Sequence, residues 1–346
     1  MANNVKPTKT PIFAETEAEL ESDAFFEDET TEVQDSAPER IEFRLNPQMC
    51  GERLDKVISR LMPEYSRSRI QQWIDDGFVT VDGKSGKGKQ AVLGHEVLII
   101  EPQTSVQDLA FEAEDIPLNV VFEDDTLIVI HKPAGMVVHP AAGNWTGTLL
   151  NGLLHRWPAL KNVPRAGIVH RLDKETSGLM VVAKTLTAQT DLVRQLQERT
   201  VSREYYALVW GAPNLSGTID APIARNPRDR LKMCVSRSMF AKPAVTHFRR
   251  LATGMLEKFP VSLVLCKLET GRTHQIRVHM QHHGFALVGD PLYGKSHLAR
   301  FFPRQALHAK RLGLIHPDTG EDCLWEVDLA DDLQQLLEQA NLEWAE

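Results

Sequence analysis

Residues 167–184, GIVHRLDKETSGLMVVAK, place one aspartate among cations where two apolar runs meet. Ile168-Val169 and the run 179–183 are rich in β-branched and bulky side chains, as buried strands are. Between them lie Arg171, Asp173, Lys174, Glu175, Thr176, Ser177 and Gly178. An aspartate beside arginine or lysine stays ionised at neutral pH, and an ionised carboxylate can serve as base, metal ligand or nucleophile. A metal site calls for more carboxylates or histidines at ligand spacing. Glu175 is the only near acid, with Lys174 between the two. The turn carries no GxxxxGK[ST] or GxGxxG pattern, so it is not a nucleotide cradle. A salt-bridged aspartate at a strand end is also a common structural device, so chemistry at Asp173 requires partners elsewhere in the chain.

Residues 268–280, LETGRTHQIRVHM, supply candidates: Glu269, Arg272, His274, Arg277 and His279. On a helix, His274, Arg277 and His279 cannot share one stripe, so some of them turn inward. A buried arginine needs an anion; Asp173 is one candidate for Arg277 and Glu269 the other. His279, His282 and His283 invite a zinc reading, but the spacing lacks the HExxH glutamate and any partner cysteine. A third group is Arg203-Glu204-Tyr205-Tyr206. On a strand the two tyrosines face opposite sides, one toward the core and one free to offer its ring to a base.

The elements around these residues divide the chain. Residues 1–40 carry 11 acids and 3 bases and no sustained periodicity, the pattern of a disordered tail. In residues 41–100, Leu54, Val57, Ile58 and Leu61 share one helix face, ended by Pro63. Ser66 can cap a second helix with Ile70, Trp73 and Ile74 inward and Gly77 as its stop. A strand over 78–81, a turn at Asp82-Gly83 and a strand over 97–100 complete a small domain. Arg53, Lys56, Arg60, Arg67, Arg69, Lys84, Lys87 and Lys89 are expected to face outward. Residues 101–118 read as a polar linker. From 119 to 346 strand-like runs (120–122, 127–131, 168–170, 179–183, 205–210, 244–249, 261–268) alternate with helices over 187–198 and 273–283 and a short C-terminal helix. That order indicates an α+β unit built on a mixed, mainly antiparallel sheet.

Composition narrows the function classes. A hydrophobic content of 42% and a charged content of 25% are ordinary for a globular protein. There is no apolar run long enough to span a membrane and no leader pattern, so a cytoplasmic protein is expected. The four dispersed cysteines suggest neither a disulfide framework nor a thiolate metal site. The net charge of −8 is concentrated in the N-terminal 40 residues. Residues 160–250 hold 16 Lys/Arg against 7 Asp/Glu, and residues 312–346 hold 10 acids and no Lys or Arg. A basic middle in a balanced body points to a polyanion partner.

Residues 41–100 resemble the S4 RNA-binding domain, whose helix pair presents basic side chains to structured RNA. HRLDKETSGLMVVAKT, REYYALV, KPAVTHF, LETGRTHQIRVHM, GDPLYG, LHAKRL and KPAGMVVHP at 132–140, taken together and in order, resemble the pseudouridine synthases of the large, ribosomal-RNA-modifying class. The likeness spans about residues 41–330; the acidic N-terminus departs from it. It implies a pseudouridine-synthase-type catalytic domain that isomerises uridines in a hairpin loop of large-subunit (23S) ribosomal RNA, free or within a pre-ribosomal particle. It further implies neither cofactor nor metal; a monomer with no membrane partner is expected. In that family's pattern Asp173 occupies the catalytic aspartate's place. Tyr205 matches the tyrosine that stacks on the target base and assists proton removal at C5. Arg277 matches the aspartate's salt-bridge partner, Ile276 an apolar pocket residue, and Arg171 the arginine that fills the stack when the uridine flips out. Arg53, Lys56, Arg67, Arg69 and Lys84 are the RNA-binding candidates of the S4-like part. Rival readings are a synthase for other rRNA or tRNA uridines, a non-catalytic ribosome-assembly factor and a base-releasing N-glycosidase.

Overall fold

The computed structural model describes residues 40–63, 65, 67–103, 109–141 and 143–342. The acidic segment 1–39, Ser66 as a helix cap and residues 104–108 of the expected linker lie outside the described residues.

The first unit runs β1 (Ile41–Arg44), α1 (Leu54–Leu61), α2 (Arg67–Asp75), β2 (Val79–Val81), β3 (Lys84–Ser85) and β4 (Val97–Ile100). Its sheet has the order β1-β4-β2-β3. Leu54, Val57 and Ile58 of α1 meet Ile70, Trp73 and Ile74 of α2 over Leu98 and Ile100, forming a core of its own. The apolar spacing read from the sequence is thus the packing face of both helices.

The second unit contains β5 (Val120–Glu123), β6 (Leu127–Lys132), α3 (Leu149–Arg156), β7 (Ser177–Ala183), α4 (Leu186–Gln197), β8 (Ser202–Trp210) and β9 (Ser216–Asp220). It continues with β10 (Ile223–Arg225), β11 (Met233–Val235), β12 (Val245–Leu256), β13 (Phe259–Leu268), α5 (Gln275–His282), β14 (Leu307–Ile315), β15 (Asp322–Glu326) and α6 (Asp331–Gln339). Nine strands form one sheet in the order β5-β6-β7-β14-β8-β13-β12-β9, with β15 on β14. Among the described residues only β7 and β14 pair in parallel, so the sheet is mixed and mainly antiparallel. β10 and β11 form a separate ribbon.

Both faces of the central strands are covered. Tyr205, Ala207 and Val209 of β8 pack with α3 and α5 on one side. Tyr206, Leu208 and Trp210 pack with Leu333, Leu336 and Leu337 of α6 on the other. A strand buried on both faces reads as a continuous apolar run, as YYALVW does. α4 covers β6 and β7 through Ala188 and Leu192. Each fully buried leucine of α6 contributes about 1.5–3 kcal/mol.

Several features differ from the sequence reading. The segment 168–170 is not a regular strand: Ile168 makes one bridge to Val182, and the His170 ring then takes over. Its Nε2 accepts the Val181 N–H at 3.1 Å, standing in for a main-chain acceptor. Residues 109–118 are no free linker. Asn151 of α3 donates to Glu112 O at 2.8 Å, and Ile116 and Leu118 join the core of the second unit. α3 itself was not expected, although Thr148 and Asn151 form a capping box at its start.

Candidate active site

The Asp173 turn hangs between the bridge at Ile168 and the start of β7, and two close backbone approaches fix it. Gly167, at φ +78°, would carry a Cβ within 1.8 Å of Ala183 O. Gly178, at φ +117°, would carry one within 2.2 Å of Ala309 O. Only glycine lets the chain pass β7 and β14 at these points. Within the turn, Thr176 N–H donates to Asp173 O at 3.0 Å. Lys174 O accepts from Gly135 N–H at 2.9 Å and from Lys132 Nζ at 2.9 Å.

Lys132, at the end of β6, is fully buried, and nothing in the sequence marks it as such. Its Nζ also donates to Pro133 O at 2.7 Å and Met136 O at 3.0 Å. Burial pushes its pKa down to about 7, opposed by the charges of Asp173 and Glu175. Three carbonyl acceptors for three ammonium hydrogens favour the charged form. Lys132 is therefore best read as a cation fixed beneath the turn.

The Asp173 carboxylate is 18% exposed and meets Arg277 Nη1 at 3.0 Å through Oδ2. Arg277 is buried in α5, and its remaining face grips Asp290: Nε to Oδ2 at 2.8 Å and Nη2 to Oδ1 at 3.0 Å. Asp290 is itself 0% exposed in its side chain, and its Oδ1 accepts the N–H groups of Leu292 and Tyr293, both at 2.9 Å. One planar guanidinium thus bridges two carboxylates, which the fixed fork of arginine allows. Burial alone would lower the Arg277 pKa; Asp290 and Asp173 outweigh it and hold the value above the ordinary one. Glu269, the alternative partner, pairs instead with Arg199 and His247, each at 2.7 Å. Asp290 belongs to GDPLYG, where its spacing alone gives it no distinguishing mark. A buried arginine with five donors implies a second acceptor, which was the available signal.

Around this pair, Ile276 and Tyr205 share one buried core. Burial pushes the Tyr205 hydroxyl pKa up; Arg203 offsets part of that and the Asp173 charge adds to it. Tyr205 is therefore a neutral phenol on the aspartate's side of β8, while Tyr206 is also buried, on the opposite face. His274 starts α5 in the left-handed region, φ 56°, with Nδ1 2.8 Å from Tyr293 Oη. Tyr293 Oη accepts the Met233 N–H at 2.8 Å, and its ring lies 5.1 Å from the Arg277 guanidinium. The β10–β11 ribbon is thereby tied to the site. Arg171 is exposed, and its charge, with burial first and Arg165 second, helps depress His139 to about 4. His279 of the HMQHH run is buried, with its ring nitrogens on Thr246 Oγ1 and Ala221 O, both at 2.9 Å.

In the first unit the basic residues part ways. Lys56 and Lys84 are exposed as expected. Arg53 and Arg67 converge on the buried Asp55, at 2.8 and 2.9 Å, with about half of each side chain exposed. The outward placement expected of Arg69 is corrected. Its guanidinium lies 5.2 Å from the Tyr65 ring and 5.3 Å from the Trp73 ring, and Nη2 donates to Gln103 O at 2.7 Å. Flanking aromatics compete with solvent for a guanidinium, so Arg69 pins α2 to the segment that follows β4.

Residues 126–282 match the family described as RNA pseudouridylate synthase, and residues 52–97 match the S4 domain. The chain is 50% identical over 315 residues to the ribosomal large subunit pseudouridine synthase D of Neisseria meningitidis serogroup B, covering 88% of this chain and 83% of that protein. It is 51% identical over 307 residues to the protein of the same name from Nitrosomonas europaea, covering 86% and 87%. This chain belongs to the RNA pseudouridylate synthase family. Among solved structures, the synthase is similar to human RNA pseudouridylate synthase domain containing 1, with a TM-score of 0.51 and 28% identity over 69% of this chain and 97% of that one.

Two imidazoles, His308 buried and His170 half-buried, give the synthase a testable acid limb. His170 and His308 are held near 3, mainly by burial, with Arg203 and His131 as the next causes. Both rings are neutral in the fold, whereas the unfolded chain takes up protons near 6.5. Their stabilisation is complete above about 6.5 and is lost as pH falls toward 3. Between pH 7 and 5 the denaturation midpoint should fall by an amount equivalent to roughly 2 kcal/mol per ring. An unchanged midpoint would exclude neutral burial.

Proposed function

We propose that this synthase isomerises uridines to pseudouridine in a hairpin loop of 23S ribosomal RNA, with Asp173 as the reactive carboxylate, Tyr205 and Arg277 as its partners and Ile276 lining the pocket. The observation that carries the reading is the Asp173–Arg277–Asp290 chain. Among the described residues Arg277 takes Oδ2 of Asp173 and no side chain bonds Oδ1, in a carboxylate that is only partly exposed. The reaction breaks C1′–N1, turns the base and forms C1′–C5; N1 gains a proton and C5 loses one. An ionised oxygen can attack C1′ or C6, or remove the C2′ proton, and each route starts from the same atom. Tyr205, a neutral phenol, supports the flipped base by stacking and relays the C5 proton by hydrogen bonding.

Arg171, exposed at the rim, fills the vacated stack and offsets part of the few kcal/mol that flipping costs. The basic middle of the chain contacts phosphates. Lys56 and Lys84, with Arg53 and Arg67 around Asp55, form the S4-side RNA face, while Arg69 braces it. The unit boundaries are 1–40, 41–100, 101–118 and 119–346, with 109–118 docked on the catalytic unit. The protein acts as a cytoplasmic monomer on free rRNA or a pre-ribosomal particle; no helix among the described residues is long and apolar enough to cross a membrane.

The test is pseudouridine mapping on large-subunit rRNA from cells with and without the protein, and on a 23S transcript treated with the purified chain. The expected result is pseudouridine retained in the chain at loop uridines and missing without the protein. Free uracil with abasic RNA would mean a glycosidase, and unmodified large-subunit rRNA in both assays would remove the proposed substrate.

A further inference from the structure

A third buried cation, Arg304, grips the Asp173 turn alongside Arg277 and Lys132. It precedes β14, and its guanidinium is only 4% exposed. Nη1 donates to Glu175 O at 3.0 Å. Nε and Nη2 hold the Asp332 carboxylate at 2.7 and 2.8 Å, at the first turn of α6. The next residue, Gln305, donates Nε2 to Thr176 Oγ1 at 3.1 Å. His308 Nδ1 lies 2.9 Å from Ser177 Oγ. Residues 175, 176 and 177 are therefore each held by a side chain from the segment 304–308, while Lys132 holds 174. A turn of this kind ordinarily leaves such groups to water; here buried partners satisfy them one after another.

We propose that Arg304 is a positioning residue for Asp173: it fixes the shape of the 173–177 turn, with Asp332 as its anchor on α6. This rests on reading Asp173 as the reactive carboxylate. Arg304 makes no bond to the Asp173 side chain, so it acts through the main chain. Displacing a reacting group by about 1 Å costs on the order of 10²-fold in rate. Lysine can reach either Glu175 O or Asp332 but cannot reproduce the fork that holds both.

The experiment measures single-turnover pseudouridine formation by the full-length chain at saturating RNA hairpin, together with RNA Kd and melting temperature. Arg304→Gln should lower the rate about 10²-fold with Kd within about threefold of wild type, and Arg304→Lys should recover part of the loss. Asp332→Asn should lower the rate about tenfold, because it frees the guanidinium without removing it. Leu336→Ala, which opens a cavity in α6 away from the turn, should lower the melting temperature yet keep the rate within about threefold. A wild-type rate in Arg304→Gln overturns the proposal, as does a loss in Leu336→Ala equal to that in Arg304→Gln. Should Arg304→Gln fail to fold, Asp332→Asn decides, and an unchanged rate there overturns it too. Asp173→Asn is assayed in parallel: pseudouridine formation by that variant would sink the reading of Asp173 itself, whatever Arg304 does.

Discussion

Replacing Asp173 by asparagine should abolish pseudouridine formation and leave RNA binding within about threefold, because the change removes one carboxylate oxygen and little else. The carboxamide oxygen can still accept from Arg277 Nη1, which the parent carboxylate meets at 3.0 Å. The Arg277 charge stays matched by Asp290, whose side chain is fully buried against it. The fold therefore keeps its buried pair, and the melting temperature should move by no more than about 4 °C. Loss of a reacting carboxylate costs on the order of 10⁴-fold or more in rate, far above the effect of a misplaced but intact one. Single-turnover assays on a loop-bearing transcript, with filter binding alongside, separate the two quantities. Full conversion by Asp173→Asn would remove the aspartate from the chemistry. A loss of RNA binding of the same size would make it a binding residue instead.

What was legible from the sequence follows the range of the interactions. α1, α2 and α4 announce themselves through apolar spacing, and β8 through an unbroken apolar run, because each pattern is local. The Arg277–Asp173 pair was legible as one of two options, since a buried arginine demands an anion. Glu269 drops out only in three dimensions, where Arg199 and His247 claim it. Asp290 and Lys132 were illegible for the same reason. A carboxylate 13 residues from Arg277 carries no periodic mark, and a strand-end lysine looks solvent-bound until carbonyls from Pro133, Met136 and Lys174 surround it. β14 was hidden by Lys310 and Arg311, charges in a largely buried strand that pair with Glu326 of β15 and, for Arg311, with Glu204 of β8. Arg69 misled because a helix-face reading assigns it outward, while Tyr65 and Trp73 draw its guanidinium in.

Changing Arg277 to lysine keeps a positive charge in α5 and should still cost on the order of 10²-fold in single-turnover rate, because a point charge cannot occupy both carboxylates in fixed geometry. The guanidinium spends Nε and Nη2 on Asp290 and Nη1 on Asp173. An ammonium will settle on the more buried acid, Asp290, where desolvation makes an unpaired anion most costly, and Asp173 then loses its restraint. Arg277→Ala goes further and leaves Asp290 buried with only the N–H groups of Leu292 and Tyr293. Breaking a buried pair in this way costs about 3–5 kcal/mol of stability, so that variant tests folding and chemistry together. Asp290→Asn completes the set: Arg277 keeps one full anion, Asp173, and the rate should fall through geometry with binding unchanged. Arg272 offers no substitute, since it is turned to Pro243 O at 3.2 Å. A double-mutant cycle between Asp290→Asn and Arg277→Lys should show coupling of roughly 1–3 kcal/mol in stability. Additive effects, or a near-wild-type rate in Arg277→Lys, would mean that Asp173 is oriented by its own turn alone and that the bridging guanidinium serves only to close the core.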